Sequence, residues 1–256
     1  MAGGHTHASG LHHEGDSVVH RLPAEAKVLA TIVVVLAVVS TPREQVWAFG
    51  LHLVVLLALV VVTRLPPGAV LRRMRIEIPF LLFAVLLPIV GRGPRVSVGA
   101  LPLSEEGLWA GWNIAAKGTL GVLAAIVLSS TTPVAELLRG VERLRAPKVM
   151  VAIAGFMVRY LDVVVGEAGR MRVARVSRGD DPRWLWQARA TAATAGTLFV
   201  RSYERGERVH LAMLARGYDG SLPEVHHHHA ARRTWAVAGV VPLVAIVIAV
   251  LALVLR

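Results

Sequence analysis

The apolar residues of this chain fall in blocks too long and too unrelieved for helices that keep one face in water. A segment needs roughly 20 mainly apolar residues to cross ~30 Å of hydrocarbon. Five segments reach or approach that length: Lys27–Ser40, extendable backwards through residues 22–26, then Val46–Thr63, Ile78–Gly91, Leu108–Leu128 and Trp235–Leu255. Pro88 predicts a kink in the third. Trp47, Trp109, Trp112 and Trp235 stand near segment ends, where indole rings favour the headgroup zone.

Composition narrows the class further. With 55% apolar residues and a formal charge of +11, the chain is neither a disordered tail nor an ordinary nucleic-acid domain. There is no cysteine, which excludes disulfides and thiolate chemistry. The first 26 residues are polar and His-rich, without the charge-then-apolar order of a signal peptide.

Lys and Arg set an orientation. Arg21 and Lys27 precede the first span and Arg64, Arg72, Arg73 and Arg75 follow the second, against Arg43, Arg92, Arg95 and Arg256 on the other side. The positive-inside rule then puts the N-terminus and the long segment 129–234 in the cytoplasm and the C-terminus outside.

That long segment holds 17 basic against 10 acidic residues. Val134, Leu137, Leu138, Val141 and Leu144 form the stripe of an amphipathic helix, with Thr132 and Pro133 starting it and Ala146-Pro147 ending it. A second helix is expected over Lys148–Ser177 and a third from about Trp184 to Ala215. Val149–Val158 is apolar enough to touch lipid, but Arg159 and Asp162 interrupt it too soon for a span.

The ends of the second and third helices resemble each other. At an offset of 38 residues, Arg170 matches Arg208, Ala174 matches Ala212, Arg178 matches Arg216 and Asp181 matches Asp219. Gly179 and Gly217 follow the last arginines, where a helix commonly ends in a left-handed residue. Capping alone would place arginine and glycine there. It does not account for the other matches at equal spacing. Two similar arginine tips imply two similar acceptors, as in a dimer of identical or homologous subunits.

These residues carry a resemblance. Ser177-Arg178-Gly179 and Ala215-Arg216-Gly217 resemble the two arginine motifs of T components of energy-coupling-factor transporters, the EcfT/CbiQ family. VHRLPAEAKVL (Val19–Leu29), WNIAAKGTLGVL (Trp112–Leu123) and FVRSYERGERVHLAMLARGYDG (Phe199–Gly220) are similar to its cobalt-transport CbiQ branch. The resemblance implies an integral membrane scaffold whose coupling helices dock into grooves of two ABC-type ATPases. Their other faces would meet a substrate-binding, CbiM-like membrane subunit, accompanied by a small CbiN-like one. Arg178 and Arg216 would anchor the helices, with Val173, Val176, Leu211 and Leu214 adding apolar contact. ATP and Mg would belong to the ATPases, and this chain would bind no cofactor and no nucleic acid.

The fold class expected is therefore all-α: a polytopic cell-membrane protein of about five transmembrane helices, with a three-helix amphipathic cytoplasmic coupling region before the last span. The divisions are a tail (1–26), a four-span part (27–128), coupling helices (129–234) and a last span (235–256). Some charge in the coupling region would face lipid headgroups.

Other residues admit plainer roles. His5, His7, His12, His13 and His20 lie in the tail and His226, His227, His228 and His229 before the last span; imidazole suits cobalt, nickel or zinc, yet a solvated tail and loop explain them as well. Lys117, with Asn113 one turn before it, falls near mid-span and is read as a structural, bundle-facing contact. His52 is read the same way, and Glu77 as a local ion pair beside four arginines. No Walker A loop, catalytic triad or H-E-x-x-H pattern occurs. Three functions remain: cobalt import coupled to ATP hydrolysis, the same scaffold for nickel, biotin or another vitamin, and a His-dependent membrane metalloenzyme.

Overall fold

The computed structural model describes residues 15–91, 94–98, 101–179, 188–219 and 232–255. It separates into two compact units, one from the described residues of Leu11–Leu144 with His229–Arg256, the other from those of Arg145–His228.

In the first unit, α1 (Ala24–Ser40) starts behind Pro23 and stops before Pro42, and α2 (Val46–Val62) follows. The arginine-rich loop expected next is mostly a short helix, α3 (Pro67–Met74), opened by a proline whose missing N–H is no loss at that position. A 3-10 turn (Arg75–Glu77) leads into α4 (Ile78–Val90), with Pro88 inside it as expected. A two-stranded antiparallel hairpin, β1 (Arg95–Val98) and β2 (Leu101–Ser104), interrupts the otherwise helical fold. The long α5 (Glu105–Thr131) begins where buried Ser104 accepts a hydrogen bond from the Gly107 N–H at 3.2 Å, with Glu105 and Glu106 at its positive end. After α6 (Val134–Arg143), the chain leaves this unit and returns as α9 (Arg232–Val254).

α1 packs on α5, α6 and α9, α2 on α5 and α9, and α4 on α5. The core joins Val38 of α1, Phe49 and Leu56 of α2, Leu120 and Leu123 of α5, and Ala245 and Ala249 of α9. Small residues set the close approaches. A Cβ at Gly107 would fall on the Leu87 carbonyl oxygen and one at Gly111 on that of Ala84, so α5 meets the α4 backbone through a glycine pair four residues apart. Outward, α2, α4 and α9 present exposed Val, Leu, Ile and Phe.

Among the described residues, three helices are long and apolar enough to cross a membrane: Glu105–Thr131, Lys148–Ser177 and Thr234–Val254, with Val46–Val62 a shorter apolar helix. Three of the five expected segments are shorter than a full span, α1 and α2 with 17 residues each and α4 with 13. The second difference is α7 (Lys148–Ser177): Arg159 and Asp162 are too few to remove its apolar length, and no residue of its apolar window is buried.

Polar residues inside the first unit are placed differently from expectation. Lys27, 5% exposed, donates to the backbone oxygens of His20 (3.1 Å) and Thr131 (3.0 Å) and to Thr132 Oγ1 (3.1 Å). Thr132 therefore serves Lys27 and does not cap α6, which has Pro133 at its N-cap. Glu77 makes no ion pair among the described residues; it is buried against α5, accepting from Thr119 Oγ1 at 2.7 Å, because the 3-10 turn aims it away from its arginine neighbours. Arg73 instead donates to Ser130 Oγ. Lys117 does serve a structural contact, but at a helix end: it donates to the Val39 carbonyl in the last turn of α1 at 2.7 Å, where a cation suits the negative terminus. His52 is buried, its Nδ1 2.8 Å from the Ala48 oxygen. Gly140 of α6 lies against the first turn of α1, and Arg143 pairs with Glu25 at 3.3 Å.

Two outcomes follow from this packing. Gly111→Val forces a side chain onto rigid backbone and lowers stability by about 1–3 kcal/mol or more, read as a lower Tm in detergent. Lys27→Met keeps the volume but strands three acceptors, and protease cleavage within residues 15–22 rises relative to wild type.

Candidate functional site

The second unit consists of α7 and α8 (Ala188–Leu214). The expected third helix was placed from Trp184; residues 184–187 lie outside the described residues, as does Asp181 of the matched series. The two helices run antiparallel, as the order of their contacts shows. Glu167 accepts from Arg201 (3.2 Å) and Arg205 (3.0 Å), while further along α7 Arg175 donates to Thr191 at 2.8 Å, earlier in α8. Towards the start of α7, Phe156 and Tyr160 line an apolar groove of about 650 Å³ with Val209 and Met213 from the end of α8.

Both helices end alike. Arg178 is the C-cap of α7; its N–H donates to the Arg175 carbonyl at 2.9 Å, and the Gly179 N–H to Val176 at 3.0 Å. At α8 the Arg216 N–H donates to Met213 at 3.0 Å and the Gly217 N–H to Leu214 at 2.9 Å, with Tyr218 N–H closing on Met213 at 3.0 Å. Gly179 and Gly217 both have φ +80°, where an L side chain is strained. Each arginine therefore stands at the cap and each glycine one position beyond, the left-handed arrangement that satisfies the last carbonyls.

Arg178 and Arg216 are exposed, and neither guanidinium makes a hydrogen bond or ion pair among the described residues. Ser177 Oγ folds back to the Val173 oxygen at 3.0 Å, and Ala215 N–H donates to Leu211. Val173, Val176, Leu211 and Leu214 are all exposed, so each tip carries uncovered apolar surface beside its arginine. Because the helices are antiparallel, the tips point from opposite ends of the pair, separated by about one helix length, ~40 Å for 27 residues at 1.5 Å each.

The tips are not equivalent. Arg178 lines a cleft of about 450 Å³ with Arg170, Arg175 and Arg201, and among the described residues no carboxylate lines it. Glu167 and this cleft are features of the candidate site that sequence reasoning missed. A signal existed: Glu167 stands 38 residues before Arg205, the same offset that relates the two tips. His12, His13, His226, His227, His228 and His229 lie outside the described residues, and no group of three or more metal-binding side chains occurs among the described ones.

A family model described as cobalt transport protein, CbiQ, matches residues 15–229. The chain belongs to the CbiQ family. Among relatives of this CbiQ chain is a putative fused cobalt transport protein CbiMQ of Methanocorpusculum labreanum, 28% identical over 57% of this chain and 26% of the relative, so the chain spans about a quarter of that protein. The energy-coupling factor transporter transmembrane protein EcfT of Streptococcus thermophilus is 28% identical over 81% of this chain and 83% of the relative. The cobalt transport protein CbiQ of Rhodobacter capsulatus is 33% identical over 37% and 39%. Together with its apolar helices, these relatives make the CbiQ chain a multi-pass membrane component of the energy-coupling-factor and cobalt-transport group.

The α7–α8 pair of this CbiQ chain depends on one carboxylate. Glu167→Ala removes the bonds to Arg201 and Arg205, about 1.5–3 kcal/mol for charged hydrogen bonds, and speeds amide exchange in α8 by at least about tenfold. Unchanged exchange there would show that the apolar groove and the Arg175–Thr191 bond suffice to hold the pair.

Proposed function

We propose that this chain is the non-catalytic coupling subunit of an ATP-driven importer, transmitting the motion of two ABC-type ATPases to a substrate-binding membrane subunit, with cobalt as cargo. The observation that supports this reading is the pair of identically capped tips, each holding an exposed guanidinium with apolar neighbours at opposite ends of one helix pair. A single acceptor would not need two copies of the device ~40 Å apart; two related ATPases would. Arginine supplies a rigid fork that pairs bidentately with a carboxylate in each ATPase groove. Seating it there also covers Val173 and Val176 at one tip and Leu211 and Leu214 at the other. Each contact then transmits displacement along a helix braced by Glu167.

In this reading residues 129–234 lie on the cytoplasmic side, with the N-terminus inside and the C-terminus outside. The apolar stretch of α7 rests against the membrane face or the CbiM-like subunit, while its basic end projects to an ATPase. ATP and Mg are bound by the ATPases. Cobalt selection belongs to the substrate-binding subunit, and the cobalt-transport names among the relatives support that cargo.

Co-purification of the ATPases and metal uptake test the assignment. Arg216→Ala should weaken ATPase association by about 10–100-fold, the equivalent of 1.5–3 kcal/mol. Arg178→Ala should lose less, because three neighbouring guanidinium groups remain in its cleft. Lysine at either position keeps the charge but loses the fork, giving an intermediate loss. The double change Arg178→Glu with Arg216→Glu should abolish both association and cobalt uptake; normal uptake in that variant would overturn the docking role. Uptake of nickel with none of cobalt would keep the coupling role and change the cargo.

A further inference from the structure

The membrane unit contains a cavity that the coupling role leaves unused. It measures about 310 Å³, is partly open, and is walled by residues such as Leu22 of the N-terminal turn, Ala30 of α1, Leu59 of α2, Val127 of α5, and Ala238 and Val241 of α9. Among the described residues its only polar lining side chains are Lys27, Thr31 and Thr131.

All three are turned inward to the protein. The three ammonium hydrogens of Lys27 match its three acceptors, the oxygens of His20 and Thr131 and Thr132 Oγ1. Thr31 Oγ1 donates to the Lys27 carbonyl at 2.9 Å and Thr131 Oγ1 to that of Val127 at 2.8 Å. The described lining of the cavity therefore offers no uncommitted donor to a polar ligand. Water is poorly served as well, since an ordered buried molecule needs about two to four polar partners. An empty apolar space forfeits dispersion contacts along its whole lining. Its volume is at the lower end of ordinary ligand pockets, about 300–1,000 Å³.

We infer that this cavity holds one acyl chain of a membrane phospholipid, gripped by its hydrocarbon and not by its headgroup. The bilayer around the helices supplies that chemistry at high concentration, and the opening gives the chain a way in. The seated chain completes the packing among α1, α2, α5 and α9 just beneath the Lys27 junction. The inference rests on the membrane location of this unit and is independent of the ATPases.

The test uses the full-length chain reconstituted in nanodiscs of phosphatidylcholine or of phosphatidylglycerol, then released into detergent for native mass spectrometry. One retained phospholipid per chain is expected, to a similar extent with both headgroups. Ala238→Trp fills the cavity and should lower retention by at least about tenfold, because a close-packed site has no room for both. Ala30→Leu is a gentler filling that carries the comparison if the tryptophan variant fails to fold, as judged by circular dichroism and monodisperse elution. Leu243→Trp, on the exposed face of α9, should retain lipid like the wild type. Three results would each overturn the inference: no retained phospholipid in the folded wild type, equal retention in the filled variants, or retention of phosphatidylglycerol alone. ATPase association is not read in this experiment, so its outcome stands apart from the coupling role.

Discussion

Lys27 brings a charge into the end of a helix bundle and, among the described residues, bonds only neutral oxygens there. Burying an ammonium costs several kcal/mol, and three charged hydrogen bonds at about 1.5–3 kcal/mol each roughly offset it. What the arrangement yields is position. One side chain ties the N-terminal turn through His20, the negative end of α5 through Thr131, and the α5–α6 junction through Thr132. Gly140 against α1 and the Arg143–Glu25 pair then hold α6 in place, so the point at which the chain leaves the membrane unit is defined on three sides.

The same economy governs the second unit. A long helix that is apolar over its first half and basic over its second would be poorly specified by apolar contact alone. Glu167, buried between Arg201 and Arg205, gives α7 and α8 a single register. Register matters because the two C-caps sit at opposite ends: a slip along the pair would change the span between Arg178 and Arg216. Both arginines are exposed and neither guanidinium makes a hydrogen bond or ion pair among the described residues, although the lysine and arginine that brace the fold, Lys27 and Arg143, are engaged. Each tip thus sets an exposed cation, unpaired among the described residues, beside uncovered Val and Leu.

Legibility varied by residue type. The two Arg-Gly caps could be read directly, because glycine at a left-handed C′ and arginine at a negative helix end are local consequences of helix geometry. Helix α7 has the expected bounds to the residue, set by Pro147 and by that cap, yet Arg159 and Asp162 do not keep it from being long and apolar enough to span. The hairpin Arg95–Ser104 escaped notice because four-residue strands leave almost no periodicity. Glu77 was assigned to its sequence neighbours and went to Thr119, forty-odd residues away, since a 3-10 turn rotates side chains off the helical spacing.

The sequence by itself determined an all-α membrane chain, the place of its helices and the two capped arginine tips, because hydrocarbon thickness, helix period and capping act over a few residues or one turn. Only the tertiary structure decided that the tips face opposite ways, that Lys27 and Glu167 are the braces, that Gly107 and Gly111 meet the α4 backbone, and that one tip has a basic cleft. Each of those depends on which residues distant in the chain come within a few ångströms of one another, and a buried charge finds its partner by packing and not by proximity in sequence.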